Sequence, residues 1–330
     1  MKEYRIAFVG LGSIATRHLK NVHTYLASVG GRCTVDLYRS SLGRPMADEL
    51  KPLLSNCYLY ADQIPADRMY DVVFVTNPTS MHYETVERFA AHTQSFFIEK
   101  PVFDSTTVDE SIFESIKDIP SYVACPLHYN AVLQYVKQHV NPNEVICARA
   151  MSSSYLPDWR PGQDYRQTYS AHKDLGGGVS IDLIHEWDYL TWLFGMPTEC
   201  RQLIGKVSNL EIDSDDLAIY IGRNEKITFE LHLDYFGRKT QRTLDLFTAE
   251  DTIHCDLIAG MVNYLKEGKT ITLESERNVY QMAEIAHFFD IINNRTKNDS
   301  TPEHAYQVLK IAKGEFLYEH SFYIMWPSRF

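Results

Sequence analysis

Residues 5–15 read "RIAFVGLGSIA". A short apolar run gives way to Gly10, Gly12 and Ala15 on the pattern G-x-G-x-x-A, and "TRHLKNVHTYL" continues at helical spacing. Strand, glycine turn and helix in so few residues restrict the start of the chain to a βα unit of a parallel sheet. Gly10 permits the tight turn, Gly12 lets backbone approach a pyrophosphate, and Ala15 lets the helix pack on its strand. The helix N-terminus, at Ser13 and Ile14, offers free N–H groups to phosphates. The segment is expected to bind a dinucleotide.

The second strand is expected over residues 33–41, "CTVDLYRSS". An acid at the end of this strand would take a ribose 2′-hydroxyl, and Asp36 comes too early for that. Arg39, Ser40 and Ser41 stand there instead, with Arg44 nearby. An arginine suits a 2′-phosphate, which favours NADP over NAD; the other reading is that Arg39 stacks on adenine or is solvated. "DVVFVTNPTSMHYETVERFAAH" (71–92) supplies another buried strand, a loop at Thr76 and Asn77, and a helix. "SFFIEKP" (95–101) ends a further strand at Glu99 and Lys100. Gly10, Asn77 and Lys100 then converge beyond the carboxyl ends of parallel strands, where open α/β sheets bind ligands.

A second feature lies in "GGGVSIDLIHEWDY", 176–189. Read as one helix, it puts Leu183, Ile184, Trp187, Leu190 and Phe194 on one face and Asp182, His185, Glu186 and Tyr189 on the other. The spacing alone leaves open whether the polar stripe meets water or a substrate.

The sequence resembles the Gfo/Idh/MocA oxidoreductases: "GLGSIATRH", "TNPTSMH", "EKP", and "GGG" followed by "DLIHEWDYLTWLFG" carry the resemblance along essentially the whole chain. The stretch 155–178, "YLPDWRPGQDYRQTYSAHKDLGGG", is similar to a branch found near bacterial polysaccharide and nonulosonic-acid genes. The resemblance implies an α/β N-terminal Rossmann domain (1–123) and an α+β substrate and oligomerisation domain (124–330) with an open, mostly antiparallel sheet. It implies a homodimer or homotetramer formed through that sheet. Strand-like runs in the second half and two closing helices, from Val279 to Asn293 and from Pro302 to about Tyr318, agree with it. By resemblance the catalytic residues are Lys100, Asp182 and His185. The cofactor set is Gly10, Gly12, Ser13, Ile14, Arg39, Ser40, Thr76, Asn77, His82, Glu99 and Lys100, although His82 taken alone reads as structural. The family's common spacing is Asp-x-x-x-His; here His185 comes one residue early and Glu186 takes the usual place.

Oxidising a secondary alcohol with nicotinamide requires a base and a group that stabilises alkoxide-like charge. An imidazole near its ordinary pKa suits the first role and a lysine ammonium the second. Asp182 can orient the group or bind a second hydroxyl. Tyr155, Trp159, Arg166 and Tyr169 suit the C–H faces and acidic groups of a carbohydrate, or else pack a loop over the other domain. Glu186 and His128 are further candidate substrate contacts. The expected activity is hydride transfer to or from a secondary alcohol or ketone of a sugar, sugar nucleotide or sugar acid. The alternatives are a dihydrodiol or enone reductase, favoured by an apolar pocket, and a non-catalytic NAD(P)-binding sensor.

Composition narrows the partners. The formal charge of -11 over 330 residues argues against a general nucleic-acid or anionic-membrane binder. No apolar run approaches the ~20 residues of a membrane span. Six scattered cysteines without a CxxC pair, and a start that lacks a signal-peptide core, suit a reduced cytoplasmic protein. No cluster has metal-ligand spacing along the chain, so no metal is expected.

Overall fold

The computed structural model describes residues 2–315. Its first half is an all-parallel sheet of β1 (Glu3–Val9), β2 (Arg32–Arg39), β3 (Asn56–Leu59), β4 (Val72–Val75), β5 (Phe96–Ile98) and β6 (Ser121–Val123), in the order β3-β2-β1-β4-β5-β6. This is the doubly wound Rossmann order, and the reversal between β1 and β4 opens a crevice at their carboxyl ends. β4 and β5 are buried along their whole length because both sheet faces are covered.

One face carries α1 (Ser13–Ser28); the helices α2 (His82–Phe89) and α3 (Ser111–Ile116) belong to the other crossovers. Beyond β6 come α4 (Ala131–His139), then α5 (Val179–Asp182) and α6 (His185–Phe194). The last two helices are α7 (Arg277–Ile292) and α8 (Pro302–Ala312). The closing helix expected to reach Tyr318 stops within the described residues at Ala312; positions 316–318 lie outside them.

The second sheet holds β7 (Val145–Tyr155), β8 (Glu199–Gly205), β9 (Leu217–Arg223), β10 (Thr228–Asp234), β11 (Phe236–Thr248), β12 (Thr252–Asp256), β13 (Met261–Tyr264) and β14 (Lys269–Thr272). The order is β14-β13-β12-β11-β7-β10-β9-β8. Only the β7–β10 pairing is parallel, so the sheet is mostly antiparallel, as expected. Its inner face buries Ala148, Ala150, Phe229, Leu231 and Leu244, with Trp187 of α6 set edge-on to Tyr220 at 5.5 Å. The opposite face leaves Ile146, Leu203 and Ile221 exposed.

The two halves are packed together. α7 returns to the first sheet, where Phe288 meets Phe74 and Phe97 edge-on and Phe289 stacks on Tyr25 of α1. A second apolar cluster runs from the other face of the parallel sheet, through Val75 and Ile98, into the interior of the second sheet.

The 176–189 segment is not one helix. α5 ends at Asp182 and α6 begins at His185, with Leu183 and Ile184 between them. The break turns Glu186 and Tyr189 into the interior, both with no exposed surface. The expected polar stripe is therefore divided. No described helix is long and apolar enough to cross a membrane.

Candidate active site

The crevice is built from strand ends. Gly10 follows β1 at φ +92°, and a Cβ there would fall 2.7 Å from Cα of Asn77. Glycine at this position is thus required twice, by its backbone angle and by the close approach of the β4 loop. Gly12 has open space where a Cβ would stand, so a ligand can approach its backbone. The first bond of α1 runs from Thr16 N–H to the Gly12 carbonyl, which leaves the N–H groups of Ser13, Ile14 and Ala15 outside the helical ladder. Glycine cradle and free amides together fit the pyrophosphate of a dinucleotide.

Within β2, Asp36 is buried and accepts hydrogen bonds from the Tyr70 hydroxyl (2.9 Å) and Asn56 Nδ2 (2.8 Å). It is committed to the core, as its early position in the strand required. The side chains of Arg39 and Arg44 have no hydrogen-bond or ion-pair partner among the described residues, and Ser40 and Ser41 follow the strand into solvent. At the end of β4, the Thr76 hydroxyl donates to the Val9 carbonyl, and Asn77 Nδ2 donates to Thr85 Oγ1. His82 does not reach the crevice surface. It is buried, with ring nitrogens against the carbonyls of Asn77 (3.1 Å) and Pro101 (3.1 Å), and so ties the Asn77 loop to the segment after Lys100. The cofactor role given to His82 is corrected to this bracing. Burial pulls the His82 pKa down, so the ring is neutral.

Glu99 likewise faces inward. Its Oε1 lies 2.5 Å from His18 Nε2 of α1, and its Oε2 accepts from the Lys100 N–H. Burial raises its pKa, but His18 and Lys100 outweigh that, and the net shift is downward. An ionised Glu99 holds the β5 end against α1.

Lys100 points across the crevice. Its Nζ donates to the backbone carbonyl of Asp182 at 2.9 Å. Burial lowers the lysine's pKa, partly opposed by Asp182 and Glu99. The Asp182 carboxylate is itself occupied: the Tyr169 hydroxyl donates to Oδ1 (2.7 Å) and the Tyr235 hydroxyl to Oδ2 (2.6 Å). Asp182 therefore anchors two phenols and lends its carbonyl to the lysine. Gly177 explains why glycines precede it: a Cβ at that position would collide with the Tyr169 carbonyl oxygen.

His185 opens α6, half-buried, with no hydrogen-bond partner among the described residues. Burial, then the positive charges of Lys100 and Arg242, drive its pKa well below the ordinary imidazole value. The sequence-based expectation of an imidazole near its ordinary pKa is corrected accordingly. Glu186, one residue on, is fully buried with Oε1 2.7 Å from Arg242 Nε of β11. The pair is in contact, but its N–H is not aligned with either oxygen. Burial raises the Glu186 pKa against the pull of Arg242. Glu186 has no exposed surface on which to meet a substrate, so its expected contact role is corrected to that of an interior partner of Arg242.

The remaining expected contacts disperse. Tyr155 lies under Arg238, whose guanidinium carbon is 3.8 Å from the ring centre. Trp159 donates from Nε1 to Ser154 Oγ (2.9 Å) and meets Tyr235 edge-on. Arg166 is held by Asp164 and Glu211 near the surface. In this aromatic stretch it is Tyr169 that reaches the Lys100–Asp182 group. His128 is buried, stacked on Trp192 and 3.1 Å from Asp188, so it cannot meet a substrate directly and its contact role is corrected. Tyr235 and Arg242 had drawn no notice in the sequence; each is a single residue in an ordinary strand run, and only the antiparallel return of β11 brings them near α5 and α6. The fold also assembles a ligand-type group that sequence spacing had argued against: Cys125, His128 and Asp188.

Residues 4–117 match the family model described as "Oxidoreductase family, NAD-binding Rossmann fold", GFO_IDH_MocA. No curated protein sequence matches the chain. Among solved structures, levoglucosan dehydrogenase in complex with NADH and levoglucosan superposes with a TM-score of 0.78 at 14% identity, covering 94% of this chain and 96% of that one. The myo-inositol 2-dehydrogenase of Lactobacillus plantarum gives 0.75 at 18% identity, covering 95% and 96%. The WlbA dehydrogenase of Bordetella pertussis, in complex with NADH and UDP-GlcNAcA, gives 0.75 at 14% identity, covering 94% of each chain. These likenesses extend the shared fold over both halves.

Proposed function

We propose that the chain is an NAD(P)-dependent dehydrogenase or reductase acting on a secondary hydroxyl or ketone of a sugar, sugar nucleotide or sugar acid. The observation that carries this reading is that Lys100, anchored on the Asp182 carbonyl, lies near a His185 whose side chain has no hydrogen-bond partner among the described residues. Gly10, Gly12, Ser13, Ile14, Thr76 and Asn77 would hold the dinucleotide, which when bound supplies the hydride acceptor or donor. His185, neutral at physiological pH, accepts the hydroxyl proton at a ring nitrogen in the oxidative direction. The Lys100 ammonium holds the same oxygen and stabilises its developing negative charge. Asp182 fixes Tyr169 and Tyr235, and Tyr169, which is exposed, presents its ring toward the substrate side. The names of the superposed dehydrogenases, with levoglucosan, inositol and a UDP-sugar acid among them, support a carbohydrate substrate.

The finer assignments belong to the same proposal. NADP is favoured over NAD because Arg39 and Arg44, whose side chains have no partner among the described residues, stand at and beyond the end of β2, and the β2 carboxylate, Asp36, is spent in the core. Arg39→Asp is expected to reverse the preference; fluorescence titration with both cofactors checks it, and a wild type that binds NAD more tightly contradicts it. A boundary at 123/124 is supported by the end of the parallel sheet at Val123. A homodimer or homotetramer through the open sheet is supported by the exposed Ile146, Leu203 and Ile221. Cytoplasmic residence is supported by six free cysteines. The direct test is nicotinamide absorbance change with purified protein over sugars, sugar acids and nucleotide sugars, both cofactors and both directions. Turnover of a carbohydrate is expected; turnover confined to apolar enones or dihydrodiols, or none at all, would contradict the reading.

A further inference from the structure

Beside α6 lies a group that the proposed reaction does not use. Cys125 caps, and His128 lies within, the single turn Pro126–Tyr129 that follows β6, in a Cys-x-x-His spacing. Asp188, one helical turn after His185, faces them from α6. The Cys125 sulfur, a His128 ring nitrogen and an Asp188 carboxylate oxygen lie within 4.8 Å of one another. Cys125 and His128 are each 1% exposed.

The Cys125 sulfur has the Tyr122 hydroxyl at 2.8 Å, but among the described residues the buried polar atoms of the other two members are left unsatisfied. Neither ring nitrogen of His128 makes an aligned hydrogen bond, and Oδ2 of Asp188 is also without one. His128 Nε2 comes within 3.1 Å of Asp188 Oδ2, but as a misaligned contact. A plain histidine–aspartate pair would align its N–H. A buried imidazole with both nitrogens idle calls for a partner beyond the protein's own groups, and a bound ion is one such partner. The flanking groups do not fill the role. His304 Nε2 is near Thr191 Oγ1, His287 is paired with Asp299, and Glu284 accepts the Cys125 N–H.

We propose that Cys125, His128 and Asp188 bind one zinc ion, with a water in the fourth tetrahedral position. Thiolate with imidazole selects a borderline-soft ion over magnesium or calcium. One thiolate and one carboxylate balance the two charges of zinc, so the complex is neutral, which suits a buried position. Three protein ligands are the number zinc takes where its fourth ligand is exchangeable. Burial of Cys125 and His128 keeps a sugar away, so the ion does not act on substrate. It ties α6, and with it His185, to the segment that leaves the Rossmann sheet.

The test uses the full chain, reduced and freed of metal with a chelator, then dialysed against zinc or cobalt(II). About one zinc per chain is expected, and cobalt(II) should give tetrahedral ligand-field bands with a sulfur-to-cobalt charge-transfer band. Cys125→Ser should abolish that charge-transfer band, and His128→Gln or Asp188→Asn should weaken zinc binding at least about 10-fold. Cys33, 3.8 Å from His23, is the competing thiol–imidazole pair, so Cys33→Ser serves as the control and should leave the signal intact. Loss of the signal with Cys33→Ser, or retention of as much zinc by Cys125→Ser as by wild type, would overturn the proposal. If the variants fail to fold, the wild-type thermal midpoint decides: saturating zinc should raise it, and an unchanged midpoint refutes the site.

Discussion

At the scale of single residues, two neighbours on α6 divide the work. His185 meets the crevice; Glu186 meets Arg242 in the interior. The folded state holds the His185 pKa well below the ordinary value of about 6.5 that it has when unfolded. Between these values the unfolded chain binds a proton that the folded chain refuses, so stability rises with pH there. The contribution is complete above about pH 6.5 and is lost as pH falls toward the folded pKa. Urea midpoints measured between about pH 7 and pH 5 should therefore fall for wild type and fall less for His185→Ala. The same depression moves the acid limb of the pH–rate profile below the range of an ordinary imidazole; a limb near pH 6.5 would contradict it. Glu186→Gln removes the carboxylate from a buried ion pair and leaves Arg242 uncompensated. It should cost about 3 kcal/mol of stability, read from chemical denaturation. A variant of normal stability with only a raised KM would return Glu186 to the substrate side.

At the scale of elements, the loop after β1 is the most constrained. Gly10→Ala must place a Cβ 2.7 Å from Cα of Asn77 at a φ of +92°. A cost of about 2 kcal/mol is expected, with weakened dinucleotide binding by titration. A change below about 0.5 kcal/mol would mean that the β1 and β4 loops are not in contact. The same scale shows what the sequence could carry. β1, β4 and β5 were legible because strands buried on both faces are continuous apolar runs. β3, β6, β13 and β14 passed unnoticed because they are three or four residues long and carry mixed polar residues such as Asn56, Ser121 and Asn263. The α5–α6 break was illegible because no glycine or proline marks Leu183–Ile184. Helical spacing alone then placed Glu186 beside Asp182 and His185.

At the scale of the molecule, the Rossmann half was readable from local motifs, since each one sits at the end of its own strand. The second half of the site was readable only in part. Asp182 and His185 came from resemblance, but their supports, Tyr235 and Arg242, come from more than 50 positions away in the chain. The second sheet carries them back to α5 and α6. Periodicity cannot report such partners, because nothing in β10 or β11 distinguishes a tyrosine that caps an aspartate from one that packs a core. The role of α7 was hidden for the same reason: its aromatic residues complete the first domain although the helix lies far along the chain.

Lys100 joins these scales: its side chain spans from the end of β5 to the backbone of α5. The most direct measurement is a comparison of wild type with Lys100→Met for both cofactor affinity and single-turnover hydride transfer on the substrate found by screening. Cofactor dissociation constants should stay within about 3-fold, and hydride transfer should fall by about 100-fold or more, because a charge at the reacting oxygen is lost while the pyrophosphate cradle is untouched. Hydride transfer at the wild-type rate in Lys100→Met would contradict the placement of the reaction between Lys100 and His185.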